Sequence, residues 1–190
     1  MNGILLILVI RIEFRRMAFV EAATIHKNGS QRPLLGSIQL ANIGQKLALG
    51  TVQFGLPYGI ANKSGIVSYT ETRAILDEAL VCGIDTLDTA IGYGGSEEKL
   101  GRLNVAAFRI VSKLPAVSGD CRNVSTWVRD QLEGSLCRLG ISALDGFLLH
   151  CPLQLMESGG DEVYSALSTA KEQGLIKKLI QSVAVILGRF

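Results

Sequence analysis

The chain has 190 residues, 48% of them hydrophobic, 19% charged and 6% aromatic. That apolar share excludes a disordered tail, because enough surface can be buried to offset chain entropy, and the length fits one domain or the larger part of one. A formal charge of +2, from 19 basic and 17 acidic side chains, gives no general reason to expect a nucleic-acid partner.

Residues 1–10 are strongly apolar, and Arg11, Glu13, Arg15 and Arg16 end the run. It is far short of the ~20 residues that span a bilayer. The positive charge follows the apolar stretch, the reverse of a secretory signal. Residues 1–33 are therefore expected to be a poorly ordered extension, with no membrane span and a cytoplasmic location, and the folded part begins at residue 34. Cys82, Cys121, Cys137 and Cys151 lie apart without a C-x-x-C pair, and are expected to be reduced and mostly buried. With His26 and His150 as the two histidines, no metal site is expected.

From Lys46 onward, short apolar runs alternate with stretches of helical period. The predicted strands are residues 46–54 (KLALGTVQF), 85–90, 108–114, 144–150 and 176–186. Between them, helices are predicted over 69–82, 96–103, 125–139 and 161–173. Ser68 to Glu71 reads as a capping box and Gly83 as the stop of the first. In the third, Val128, Leu132, Leu136 and Leu139 share one face before Gly140. In the fourth, Val163, Leu167 and Ala170 form one stripe before Gly174. Helices with a single apolar side fit packing against a sheet, and near-continuous apolar strands fit a sheet covered on both faces.

Strand–helix–strand alternation predicts parallel neighbours joined by right-handed crossovers. An open doubly wound sheet and a (β/α) barrel both satisfy it. A full barrel takes eight units and ~250 residues, so five strands and four helices read as a partial α/β structure.

Polar side chains stand where the apolar strands end: Asp88, Lys113 and His150. Ligands of parallel α/β folds collect at those ends, and strands ~4.8 Å apart bring three successive ends within one small pocket. Tyr93 follows in a glycine-rich loop. A phenol with a pKa of about 10 in isolation is a poor acid at neutral pH. A neighbouring ammonium favours its anion, and a carboxylate behind the lysine holds that ammonium in place. An imidazole N–H stabilises a developing alkoxide. Taken singly, each residue has a structural reading: a loop cap, an ion pair, a packed ring, a strand-end histidine. Taken together, they suit proton delivery to a carbonyl that receives hydride.

The segment GIDTLDTAIGYGGSEEKLG (83–101) resembles the signature of the aldo-keto reductases. VSKLP (111–115) and LLHCP (148–152) are similar to that family's lysine and histidine segments, and KLALGTVQFGLPYG (46–59) to its first strand and loop. The resemblance covers roughly residues 34–183. It implies a TIM-type (β/α) barrel that binds NADP(H), or alternatively NAD(H), and reduces an aldehyde, ketone or sugar-like carbonyl. By position, Tyr93 is the implied general acid, supported by Asp88, Lys113 and His150. Gly50, Thr51, Val52, Asp88 and Ser182 are the implied nicotinamide contacts, with Val183 where an asparagine often follows.

The family pattern continues through three further strands, so residues 34–190 read as an incomplete barrel lacking its carboxyl-terminal units. Such a chain is expected to bind NADPH weakly or not at all, and its open first and fifth strands offer an edge for self-association. The alternative reading is a truncated, inactive fragment or a partner-dependent non-enzymatic module. A third reading takes Gly92, Gly94 and Gly95 before Ser96 as a phosphate loop, against which Glu97 and Glu98 would repel the anion.

Overall fold

The computed structural model describes residues 6–7, 9–11, 23–24, 47–59, 62 and 65–180. Its strands are β1 (Leu6–Ile7), β2 (Val9–Arg11), β3 (Ala23–Thr24), β4 (Leu47–Gly50), β5 (Thr86–Asp88), β6 (Arg109–Leu114), β7 (Gly146–Leu149) and β8 (Leu179–Ile180). Its α-helices are α1 (Val52–Gly55), α2 (Tyr69–Val81), α3 (Ser96–Arg102), α4 (Val124–Leu139) and α5 (Gly160–Glu172), with a 3₁₀ turn at Pro152–Met156.

Strands β4 to β8 lie side by side in sequence order, every pair parallel. A doubly wound sheet reverses its strand order at a switch point, and no reversal occurs here. The fold is therefore α/β with the winding of a TIM-type barrel, over part of its circumference. β1 pairs with β3 in a separate antiparallel ribbon.

The four long helices begin and end where local chemistry requires. Ser68 Oγ accepts the Glu71 N–H at 3.2 Å, and the Asn123 side chain accepts the Thr126 N–H at 2.9 Å. Gly140 closes α4 in the left-handed region, where a β-carbon would strain the turn. Their apolar stripes pack on the sheet: Ile75, Leu76 and Ala79 from α2, Leu100 from α3, Val128, Leu132, Leu136 and Leu139 from α4, and Val163, Leu167 and Ala170 from α5 join Leu49, Leu87, Ile110, Leu114 and Phe147 in one core. Leu132 is fully buried there. Leu132→Ala is expected to lower the unfolding free energy by ~2–5 kcal/mol; chemical denaturation checks this, and a loss below about 1 kcal/mol would place Leu132 outside the cooperative core.

Several expectations need correction. The predicted strand over residues 46–54 stops at Gly50, and Val52–Gly55 forms a single helical turn. The Phe54 N–H donates to Thr51 O and the Leu56 N–H to Val52 O, so the backbone closes on itself where an apolar run alone suggests extension. The last strand is described over Leu179–Ile180, after a bridge between Leu144 and Ile176; residues 181–186, with Ser182 and Val183, lie outside the described residues. The edge of β4, expected to be open, pairs antiparallel with β2 in the register Val9↔Leu49, Ile10↔Ala48 and Arg11↔Leu47.

The thiols are free, but three of them, Cys82, Cys137 and Cys151, are exposed and Cys121 is half-buried. The apolar faces of α2 and α4 point elsewhere: Cys82 caps α2 beyond its last turn, and Cys137 follows Leu136 onto the solvent side. Among the described residues no helix is long and apolar enough to cross a membrane, and no cluster of three or more metal-ligating side chains occurs.

Candidate active site

The register of the parallel strands converts sequence positions into one cluster. Gly50 at the end of β4 stands beside Asp88 at the end of β5, and Asp88 beside Val111 of β6. Two residues further along β6, Lys113 stands beside Leu148 of β7, and His150 follows that strand directly. Side chains alternate along a strand, so Lys113 and Val111 share the face that Ser112 leaves.

Lys113 Nζ is the hub. It donates to Asp88 Oδ1 at 2.8 Å and to the Thr89 carbonyl at 2.9 Å, and lies 3.4 Å from Tyr93 Oη. The same ammonium sits 5.0 Å from the centre of the Tyr93 ring. His150 meets that ring edge to face, 6.0 Å between centroids and 86° between planes. All four tetrad residues expected from the sequence therefore come together.

The loop from Thr89 to Gly95 is held by its backbone. The Ile91 N–H donates to Lys113 O, the Tyr93 N–H to Ala90 O and the Ser96 N–H to Tyr93 O. Gly94 adopts a φ of 55°, a conformation that costs glycine little. The buried Ser96 hydroxyl lies 3.0 Å from both the carbonyl and hydroxyl oxygens of Thr51, and 3.3 Å from Thr89 Oγ1. With its amide and hydroxyl engaged inside the fold, Ser96 adds no free donor to the loop of Gly92, Gly94 and Gly95.

Burial pushes the Asp88 carboxyl up from its ordinary value, opposed by the charge and hydrogen bond of Lys113 and by the charge of His150. The His150 imidazole is lowered from its ordinary 6.5, by burial first and then by Lys113, while Asp88 opposes. At neutral pH the ring is therefore uncharged and carries one N–H donor. Titration of its ring proton by NMR is expected to give a midpoint below 6.5. Lys113→Met removes a repelling charge and raises that midpoint; Asp88→Asn removes an attracting one and lowers it further. Shifts of the opposite sign would mean that the two charges do not act on His150 as drawn.

The residues expected beside a nicotinamide are placed unevenly. Gly50 is half-buried at the end of β4, whereas Thr51 and Val52 are buried. The Thr51 hydroxyl donates to the Asp88 carbonyl at 3.2 Å. Asp88 itself is 4% exposed. Its Oδ1 is taken by Lys113, and Oδ2 has no partner among the described residues. Ser182 lies outside the described residues.

Sequence reasoning missed Glu97. Read only as a charge that would repel an anion, it is 1% exposed, and its carboxylate is enclosed by Ser112, Ser135 and Arg138. Its partners come from other elements, up to 41 residues away, so no local pattern announces them.

The cluster has the parts for handing a proton to an acceptor at the strand ends: a phenol, an ammonium beside it, a carboxylate behind and a neutral imidazole across the ring.

A family model described as the aldo/keto reductase family matches residues 46–182. A solved structure assigned as an aldo-keto reductase from Pseudomonas aeruginosa is 34% identical, with a TM-score of 0.59 over 70% of this chain and 53% of that one. A thermostable aldo-keto reductase in complex with the inhibitor epalrestat is 26% identical, with a TM-score of 0.52 over 70% of this chain and 47% of its own. The holo form of an aldo-keto reductase from Bacillus halodurans shares the fold at 21% identity and a TM-score of 0.54, over 71% of this chain and 45% of that one. The chain thus spans about half the length of the structures it matches. No curated protein matches it significantly in sequence.

Proposed function

The chain belongs to the aldo/keto reductase family, and from that premise we propose that it is an oxidoreductase reducing an aldehyde, ketone or sugar-like carbonyl with NADP(H), Tyr93 being the general acid. The observation that carries the reading is the position of Lys113 Nζ, shared between the buried carboxylate of Asp88 and the hydroxyl of Tyr93.

The donor set is compatible with a nicotinamide. Asp88 Oδ2, an acceptor without a partner among the described residues, suits an amide N–H of the kind a carboxamide presents, and Gly50 beside it carries no side chain to obstruct a ring. When bound, the reduced cofactor supplies the hydride that goes to the carbonyl carbon. The chain's own residues do the rest. His150, uncharged at neutral pH, donates a hydrogen bond to the carbonyl oxygen and polarises it. Tyr93 releases its proton to that oxygen as negative charge develops, and the product is an alcohol. Lys113 stabilises the phenolate left behind, and Asp88 keeps the ammonium in place.

The test is the absorbance of NADPH, and in parallel NADH, during incubation with a panel of aldehydes, ketones and sugars. Cofactor oxidation is expected with at least one carbonyl, and it should fall by ~10–100-fold in Lys113→Met. Unchanged turnover in that variant would remove Lys113 from the mechanism. Cytoplasmic location and self-association through a sheet edge remain part of the same proposal.

A further inference from the structure

We propose that Glu97 is a positioning residue, which sets the distance between Tyr93 and Lys113 by clamping the start of α3 to the strand that carries the lysine. The inference rests on the reading of Tyr93 and Lys113 as the proton-delivering pair.

Glu97 Oε1 accepts from Ser112 Oγ and from Ser135 Oγ, each at 2.7 Å. Oε2 accepts from Arg138 Nε at 3.0 Å and Nη2 at 2.8 Å. A carboxylate this buried is costly unless paired and fully hydrogen-bonded, and four donors meet it here. An apolar side chain would fill the same space without that cost, so the charge needs another reason. Its geometry supplies one: only one position of α3 satisfies all four donors, whereas apolar packing tolerates sliding.

The clamp connects directly to the site at both ends. On one side, Ser96 precedes Glu97, and its N–H donates to the carbonyl of Tyr93 at 3.2 Å. On the other, Ser112 precedes Lys113 on β6 and points to the opposite face of the strand. The link Tyr93–Ser96–Glu97–Ser112–Lys113 thus closes behind the pair whose reactive atoms lie 3.4 Å apart in front. Ser135 and Arg138 brace the same carboxylate from α4, and Gly101 lets α3 approach so closely that a β-carbon there would overlap the Arg138 carbonyl.

Glu97→Gln leaves an amide facing a guanidinium and risks unfolding, so two milder variants carry the test. Ser112→Ala and Ser135→Ala each remove one hydroxyl from the same oxygen, at the same distance and from fully buried residues. Only Ser112 is on the lysine's strand. With tyrosine 13C-labelled in the ring, the signals of Tyr93, identified by their loss in Tyr93→Phe, are expected to move in Ser112→Ala and to stay in Ser135→Ala. Turnover is expected to fall about tenfold in Ser112→Ala with KM held, because small misplacements of reacting groups cost rate rather than binding; Ser135→Ala should stay within about twofold of the unsubstituted chain. Equal effects of the two variants, or unmoved Tyr93 signals in Ser112→Ala, would overturn the role of Glu97. Absence of any turnover in the unsubstituted chain counts instead against the reductase reading, and the ring signals then decide on Glu97 alone.

Discussion

Tyr93→Phe is expected to lower turnover by ~10²–10⁴-fold, the usual worth of a positioned general acid, with little change in stability. The substitution removes only the hydroxyl, and Lys113 Nζ, 3.4 Å away, keeps its shorter bonds to Asp88 Oδ1 at 2.8 Å and Thr89 O at 2.9 Å. The ring, its edge contact with His150 and the backbone bonds of the loop all remain. Loss of one partly exposed hydrogen bond should therefore cost about 1 kcal/mol or less. Binding of the carbonyl should change less than its conversion, since the proton moves only as the oxygen gains charge. Rates of NADPH oxidation and a urea melt of both proteins check the two halves. Activity within a few-fold of the unsubstituted chain would show that the proton comes from elsewhere, and a large drop in stability would make Tyr93 a packing residue.

Gly55→Ala is expected to damage both the fold and the site. A β-carbon at Gly55 would overlap the carbonyl oxygen of Tyr93 and lie 2.5 Å from the Ser96 nitrogen and 2.9 Å from the Gly95 nitrogen. All three are backbone atoms, so no side chain can swing aside to relieve the clash. Gly94 packs from the other side, where a β-carbon would be 2.6 Å from Gly55 O. The turn α1 and the Tyr93 loop therefore touch backbone to backbone, and any added atom must push the loop away from Lys113. Overpacking of this kind costs ~1–3 kcal/mol, and a displacement near 1 Å at a reacting group costs ~10²-fold in rate. Gly119→Ala is the control, since a β-carbon there meets nothing within 4 Å, and should stay within about 0.5 kcal/mol. Equal melts and equal rates for the two variants would mean that the loop has slack and that its position is not set by α1.

The elements most legible in the sequence are those whose cause is local. Ser68 before Glu71 and the left-handed Gly140 mark helix ends in the chain itself. The stripe Val128, Leu132, Leu136 and Leu139 gives α4 its period and its buried face. The alternation of such helices with short apolar runs predicted parallel strands, and the polar residues ending those runs marked Asp88, Lys113 and His150, with Tyr93 just beyond. The alternation alone left open the choice between two windings, because either buries the same faces, and only the resemblance of residues 83–101 favoured the barrel.

By itself, then, the sequence determined the four long helices and, within a few residues, the parallel strands between them, and it put Asp88, Lys113 and His150 at strand ends with Tyr93 beyond, since hydrophobic period, caps and turns act over a few residues. Tertiary structure decided everything that depends on residues far apart in the chain. The sequential strand order excludes a doubly wound sheet. The strand β4 ends at Gly50, and residues 52–55 form a helical turn that packs backbone to backbone on the Tyr93 loop. The meeting of Lys113 with Asp88 spans 25 residues, and that of Glu97 with Arg138 spans 41. Burial is a property of the packed whole: it raises the Asp88 carboxyl, lowers the His150 imidazole, and encloses Glu97 behind the site.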